Sequence, residues 1–320
     1  MEYIHLGRTG LRVSRLCLGT MAFGREADEP TSVQIIDRAL ELGVNFFDTA
    51  NVYGQPRGIT EEIVGRWLAQ TSGRRDKIVL ATKVYGALGE GPNDRELSAY
   101  NIRRGCEDSL RRLQTDHIDL YQMHHIDRST PWEEIWQAME TLVQQGKVIY
   151  VGSSNFAAWH IAQAQAAAAA RHFVGLVSEQ SRYNLAVRTV ELEVIPACQS
   201  YGLALLAYGP LRGGLLAGSV VNATEGRRAS EGAQKLLDNH RSQVQAYEAL
   251  CDEVGIEPAR VAQAWLLQRP YPIIPIMGPR TLEQMVQSLH AAEIKLSDDV
   301  LTRLDVIWPG PGQAPESYAW

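Results

Sequence analysis

Short apolar runs alternate with stretches of helical spacing along almost the whole chain, and this alternation restricts the fold more than any other feature. Leu16–Thr20, Val44–Asp48, Lys77–Lys83, Ile118–His124, Val148–Gly152, Val174–Gln180, Leu203–Tyr208 and Ile273–Met277 read as strands. Between them apolar residues recur three and four apart, as at Val33, Ile36 and Leu40 or Ile102, Cys106, Leu110 and Leu113. Later helices are expected at Val190–Ser200, Ser242–Val254, Pro258–Leu267 and Thr281–Ala292. Eight strand–helix units predict a (β/α)8 TIM barrel, one domain over residues 1–320. Tyr3–Leu6 and Leu11–Val13, joined by a Gly-bearing turn, predict an N-terminal β-hairpin, and Ser297–Ile307 predicts an extra C-terminal helix. A doubly wound nucleotide-binding sheet is the alternative, and it requires G-x-G-x-x-G between a strand and a helix. The nearest candidate, Gly86, Gly89 and Gly91, has the wrong order, and no P-loop pattern occurs.

Charge and cysteines narrow the function. A formal net charge of −6 and a pI near 5.8 argue against nucleic acid as a partner. Cys17, Cys106, Cys198 and Cys251 are widely spaced, so neither a disulfide framework nor a zinc site is expected. No run of about 18 apolar residues appears, and arginines and glycines break the N-terminal stretch. The expectation is a soluble cytoplasmic protein with no membrane partner, its state as monomer or homo-oligomer open.

In a barrel of this kind, chemistry sits at the C-terminal ends of the strands. Three successive strands end in Asp48, Lys83 and His124, and the loop after the first delivers Tyr53. Each has an ordinary alternative: a turn or cap for Asp48, a loop anchor for Tyr53, a solvated end for Lys83. His124, followed by His125, could be packed or metal-binding, though no third ligand stands at a suitable spacing. Together the four suit one task. A tyrosine of pKa about 10 is a poor proton donor at neutral pH, a neighbouring lysine cation lowers that value, and an aspartate keeps the lysine charged. A neutral histidine can hold a substrate oxygen. The set suits proton donation to a carbonyl oxygen as hydride attacks its carbon, which requires a nicotinamide cofactor.

NFFDTANVYG, DKIVLATKVYG and IDLYQMHHID resemble, in order and strand position, the signatures of the aldo-keto reductases. The likeness runs from LGRTGLRVSRLCLGT to MGPRTLEQMVQSLHA. It implies an NADPH-dependent carbonyl reductase acting on a small-molecule substrate. Tyr53 would be the general acid, Lys83 its activator, Asp48 the partner of Lys83, and His124 the residue orienting the carbonyl. No metal is implied. The implied cofactor contacts begin with Gly19, Thr20 and Met21 after the first strand. Ser154, Asn155 and Gln180 would hold the nicotinamide carboxamide, and Tyr208 would stack on its ring. Gly209, Pro210, Leu211, Arg212, Gly213 and Arg228 would serve the pyrophosphate, in a long Gly-rich segment from Pro210 to Asn239. Gly278, Arg280 and Gln284 would meet the adenosine end, Arg280 at the 2′-phosphate. Where many relatives carry Glu-Asn, this chain has Gln287-Ser288, a departure that bears on adenine contacts and NADPH strictness. The sequence is most similar to the long-loop branch that contains potassium-channel β subunits, and within it to bacterial reductases of nucleotide-linked keto-deoxysugars. A broad reductase of aldehydes and ketones and a cofactor-sensing regulatory subunit are the alternatives.

Overall fold

The computed structural model describes residues 1–220 and 230–314. The hairpin comes first, β1 (Tyr3–His5) antiparallel to β2 (Arg12–Ser14). Then follow β3 (Cys17–Gly19), α1 (Glu29–Glu41), β4 (Phe46–Asp48), α2 (Ile59–Ala69), β5 (Val79–Val84) and α3 (Ala99–Leu113). The alternation continues through β6 (Ile118–Met123), α4 (Trp132–Gln144), β7 (Val148–Ser154), α5 (Ala158–Ala170), β8 (Leu176–Arg182), α6 (Val194–Tyr201) and β9 (Ala204–Tyr208). Two helices, α7 (Glu231–Val254) and α8 (Pro258–Leu267), share the crossover to β10 (Ile273–Met277), and α9 (Leu282–His290) and α10 (Asp298–Ile307) follow. Strands β3 to β10 close into a parallel barrel in the order β10-β3-β4-β5-β6-β7-β8-β9. The expected (β/α)8 barrel and N-terminal hairpin are both present.

Strand periodicity sorts the core into two layers, because successive side chains point to opposite faces. Phe46 joins Cys17, Val79, Ala81, Leu120, Leu206 and Ile274 inside the barrel, while Phe47 packs outward with Ile35, Ile36, Val64 and Trp67. The hairpin closes the end of the barrel where the strands begin. Leu6 and Val13 belong to the interior cluster. Gly7 lies in the left-handed region (φ 57°) over the starts of β8 and β9, where a Cβ would fall 2.5 Å from the Val177 carbonyl oxygen and 2.6 Å from that of Gly202. Only glycine fits both the dihedral and the space.

Helix starts carry their own signals. The side chains of Asp28, Ser98, Ser230, Thr281 and Ser297 accept hydrogen bonds from the first turns of α1, α3, α7, α9 and α10. Two helix expectations need correction. Helix α7 begins at Glu231 rather than Ser242, so the end of the supposed Gly-rich segment is helical. Before a kink at His240 only Leu237 is buried, leaving too little apolar periodicity to read. The helix expected over Val190–Ser200 is a 3-10 turn at Thr189–Glu191 followed by α6. An arginine of α3 ties that helix to α2 and β5. Arg112 donates through Nε to Glu61 Oε2 (2.7 Å), a buried carboxylate whose other oxygen takes the Thr82 hydroxyl (2.5 Å).

Candidate active site

The residues predicted at strand ends converge at one mouth of the barrel. Asp48 is the last residue of β4, and the loop after it is tied to β5 by bonds from Thr49 N to the Ala81 carbonyl (2.9 Å) and from Asn51 N to the Lys83 carbonyl (3.3 Å). That loop turns back on α2 at Gly54 (φ 86°), where a Cβ would lie 2.2 Å from Ile59 Cγ2. Tyr53 is thereby aimed over the barrel. Lys83, fully buried on β5, donates from Nζ to Asp48 Oδ2 (2.5 Å), to the Thr49 carbonyl (2.8 Å) and to the Tyr53 hydroxyl (3.3 Å). The His124 ring stands edge-on to Tyr53 at 5.9 Å and stacks against His125 at 5.4 Å.

Electrostatics assigns protonation states. Burial opposes the charge on Lys83, but the Asp48 carboxylate and Tyr53 outweigh it, and its pKa is held above the ordinary lysine value. Burial, with the Lys83 and His125 charges acting in the same direction, pushes His124 down to about 3, so it is neutral at physiological pH. For Tyr53 the expectation needs correcting. Lys83 does lower the phenol's pKa, but burial acts more strongly the other way, and the net displacement is upward.

A second set of side chains is bonded to the first. Asp48 Oδ1 accepts from Gln122 Nε2 and from Gln180 Nε2, each at 2.9 Å. Ser154 donates its hydroxyl to the Gln180 carbonyl (2.9 Å). Asn155, at φ 60°, donates from Nδ2 to Ser154 Oγ (2.9 Å) and the His124 carbonyl (3.2 Å), and accepts from the Tyr208 hydroxyl (2.8 Å). Below them the buried Glu179 carboxylate takes hydrogen bonds from Ser153 Oγ (2.5 Å), Ser181 Oγ (2.7 Å) and Phe156 N (3.1 Å). Gln122 and Glu179 were missed in the sequence. Gln122 did carry a signal, since it lies two residues before His124 and so on the same strand face.

The remaining predicted contacts are dispersed. Thr20 spends both its hydroxyl and its amide on the Asp48 carbonyl, each at 3.0 Å, and Gly19 is pressed against β10, where a Cβ would lie 2.5 Å from Ile276 Cγ2. Met21, Arg212 and Gly213 line a cavity of about 510 Å³ together with Arg25, Leu215 and Leu237. Arg212 has a left-handed backbone (φ 46°) and a buried Nε with no hydrogen-bond partner among the described residues. Burial and the nearby Arg182 both lower its pKa, and Arg182 itself lies 5.5 Å over the Tyr208 ring. The Gly209 carbonyl accepts a hydrogen bond from Asn184 Nδ2 (2.9 Å), ahead of Pro210 and Leu211. Gln284 accepts from Arg280 N (2.9 Å) and its own amide donates to Thr281 Oγ1 (3.2 Å), which closes the first turn of α9 beside Gly278. Arg228 lies outside the described residues.

A buried guanidine nitrogen without a partner is costly unless an anion completes it. Arg212 therefore fits a phosphate-bearing cofactor, and at Gly209, Gly213 and Gly278 no atom of the described residues, chain neighbours aside, lies within 4 Å of where a side chain would begin. Among the described residues no group of three His, Cys, Asp or Glu side chains could hold a metal, and no helix is long and apolar enough to cross a membrane.

Comparison with known proteins bears on the family. The chain is 55% identical, over the full length of both, to a Bacillus subtilis (strain 168) protein named uncharacterized oxidoreductase YrpG. It is 33% identical to a probable voltage-gated potassium channel subunit beta of rice (Oryza sativa subsp. japonica), over 99% of this chain and all of the relative. It is 32% identical to norsolorinic acid reductase A of Aspergillus parasiticus, over 92% of this chain and 78% of the relative. The model of the aldo/keto reductase family matches residues 15–309. With that match carried by a closed barrel whose strand ends bear these side chains, the chain belongs to the aldo/keto reductase family and is an oxidoreductase.

Proposed function

We propose that this barrel, one domain over residues 1–320, is an NADPH-dependent reductase that converts a carbonyl to an alcohol, with Tyr53 as general acid. The observation that carries the reading is Lys83 Nζ, held 2.5 Å from Asp48 Oδ2 and 3.3 Å from the Tyr53 hydroxyl, beside a neutral His124. Ser154, Asn155, Gln180 and Tyr208 hold the nicotinamide end, Arg212 the pyrophosphate, and Arg280 the 2′-phosphate. A reduced nicotinamide held there would supply the hydride that the carbonyl carbon takes up. The Tyr53 hydroxyl gives its proton to the carbonyl oxygen. A phenol kept protonated through neutral pH is in the right state for that, and the Lys83 ammonium stabilises the phenolate left behind. Neutral His124 donates a ring N–H to the same oxygen and fixes its position. Asp48 keeps Lys83 charged and in place. The substrate we favour is a keto group on a nucleotide-linked 6-deoxyhexose, reduced in the cytoplasm. The resemblance of the segment from Tyr121 to Phe156 to such reductases supports it.

Tyr53→Phe tests the reading. It removes the proton donor and keeps the ring. Single-turnover oxidation of NADPH with a reactive dicarbonyl should slow by about 10²–10⁴-fold, with NADPH affinity retained. A near-wild-type rate would assign the proton to another donor.

A further inference from the structure

Gln122 and Gln180 are 0% and 3% exposed, side by side inside the barrel on β6 and β8. A glutamine amide offers two N–H donors and one carbonyl oxygen, and a carboxylate only accepts. Gln180 Nε2 donates to Asp48 Oδ1 (2.9 Å) and to Gln122 Oε1 (3.1 Å), so both its protons are committed. Gln122 Nε2 donates to the same Asp48 oxygen (2.9 Å). Turning the Gln180 amide over would set its oxygen against both the carboxylate and the Gln122 oxygen. What Gln180 retains for a ligand is its carbonyl oxygen, an acceptor.

Two further features keep Gln122 in place. It pairs in register with Lys83 on one side and Gly152 on the other. At Gly152 a Cβ would lie 3.2 Å from Gln122 Cγ and 2.5 Å from Ser178 Oγ, so the neighbouring strand leaves the space the glutamine stem fills.

We propose that Gln122 is a positioning residue that locks the amide of Gln180, so that the site recognises the N–H end of a carboxamide rather than its carbonyl. The proposal rests on the assignment of Gln180 to the nicotinamide end. Asp48 thus serves two groups, with one oxygen for Lys83 and the other for the glutamine pair. Without Gln122, Gln180 loses one of the two contacts that orient it and can turn to offer a donor instead.

Equilibrium fluorescence titration with NADPH and with its reduced 3-acetylpyridine analogue reads this directly, because the analogue keeps the carbonyl and replaces the NH₂ by a methyl. The wild-type protein should prefer NADPH by roughly 5- to 100-fold, the effect of leaving one buried acceptor unpaired. Gln122→Met should shrink the preference to within about threefold, whereas Gln122→Glu, which retains an accepting oxygen for Gln180, should keep it. A merely structural loss would weaken both cofactors alike and leave their ratio unchanged. If Gln180→Met abolishes the preference while Gln122→Met keeps it, the lock is wrong and the assignment of Gln180 stands. If Gln180→Met binds both ligands as the wild type does, the assignment itself fails. Should Gln122→Met not fold, neutron diffraction of the wild-type protein locates the deuterons on Gln180, and an oxygen found facing Asp48 overturns the proposal.

Discussion

The ammonium nitrogen of Lys83 lies 2.5 Å from Oδ2 of Asp48, and both groups are enclosed by the barrel. Removing one partner leaves an uncompensated charge, which typically costs about 3–5 kcal/mol. Lys83→Met should lower the unfolding free energy by about that amount in urea titrations. Lys83→Met combined with Asp48→Asn should be more stable than Lys83→Met alone, since no buried charge remains unpaired. A double variant no better than the single one would place the cost elsewhere. Because the folded pKa of Lys83 is raised above its ordinary 10.5, the contribution of the pair is present through neutral pH and is lost only as pH rises past that value.

His124 gives the opposite pH dependence. Its folded pKa of about 3 lies below the 6.5 of the unfolded residue, so the unfolded chain takes up the proton first as the medium is acidified. Stability should therefore fall between pH 6.5 and about 3, and His124→Gln should flatten that fall. In the native protein, the NMR resonances of the His124 ring should not titrate between about pH 8 and 5, where an ordinary histidine does. A midpoint near 6.5 would contradict the neutral ring.

Glu179 is a buried carboxylate with hydroxyl and amide donors and, among the described residues, no cation bonded to it. Burial pushes it up to about 7, against the pull of its hydrogen bonds from Ser153, Ser181 and Phe156. Between 4.5 and about 7 the unfolded chain has already released this proton while the folded one holds it, so stability falls as pH rises through that window. At roughly 1.4 kcal/mol per pH unit the fall amounts to about 3 kcal/mol. Glu179→Gln should abolish it, as thermal unfolding across that range would register. An unchanged slope would mean that the proton is shared elsewhere.

Arg280 begins the turn that leads into α9. As the residue proposed for the 2′-phosphate, its charge matters only to the phosphorylated cofactor. Arg280→Ala should weaken NADPH by roughly 1.5–3 kcal/mol and leave NADH almost unaffected. Equal losses in fluorescence titrations of the two would remove it from that role.

How far the sequence anticipates this molecule varies by feature. The barrel and the convergence of Asp48, Tyr53, Lys83 and His124 were legible because strand ends and side-chain parity follow from local pattern. Gln122 was not. A glutamine within a strand looks ordinary until β4, β6 and β8 face one another across the barrel and give Asp48 two amide donors at once. The first turns of α7 escaped because only Leu237 marks a buried face before the kink at His240. The direction of the Tyr53 displacement depends on how much burial opposes Lys83, a balance set only by the folded surroundings.

The hairpin that seals the barrel floor with Leu6 and Val13 makes the interior a cul-de-sac. The charges of Lys83 and Asp48 are thereby walled off from water at the end opposite the mouth where Tyr53 stands.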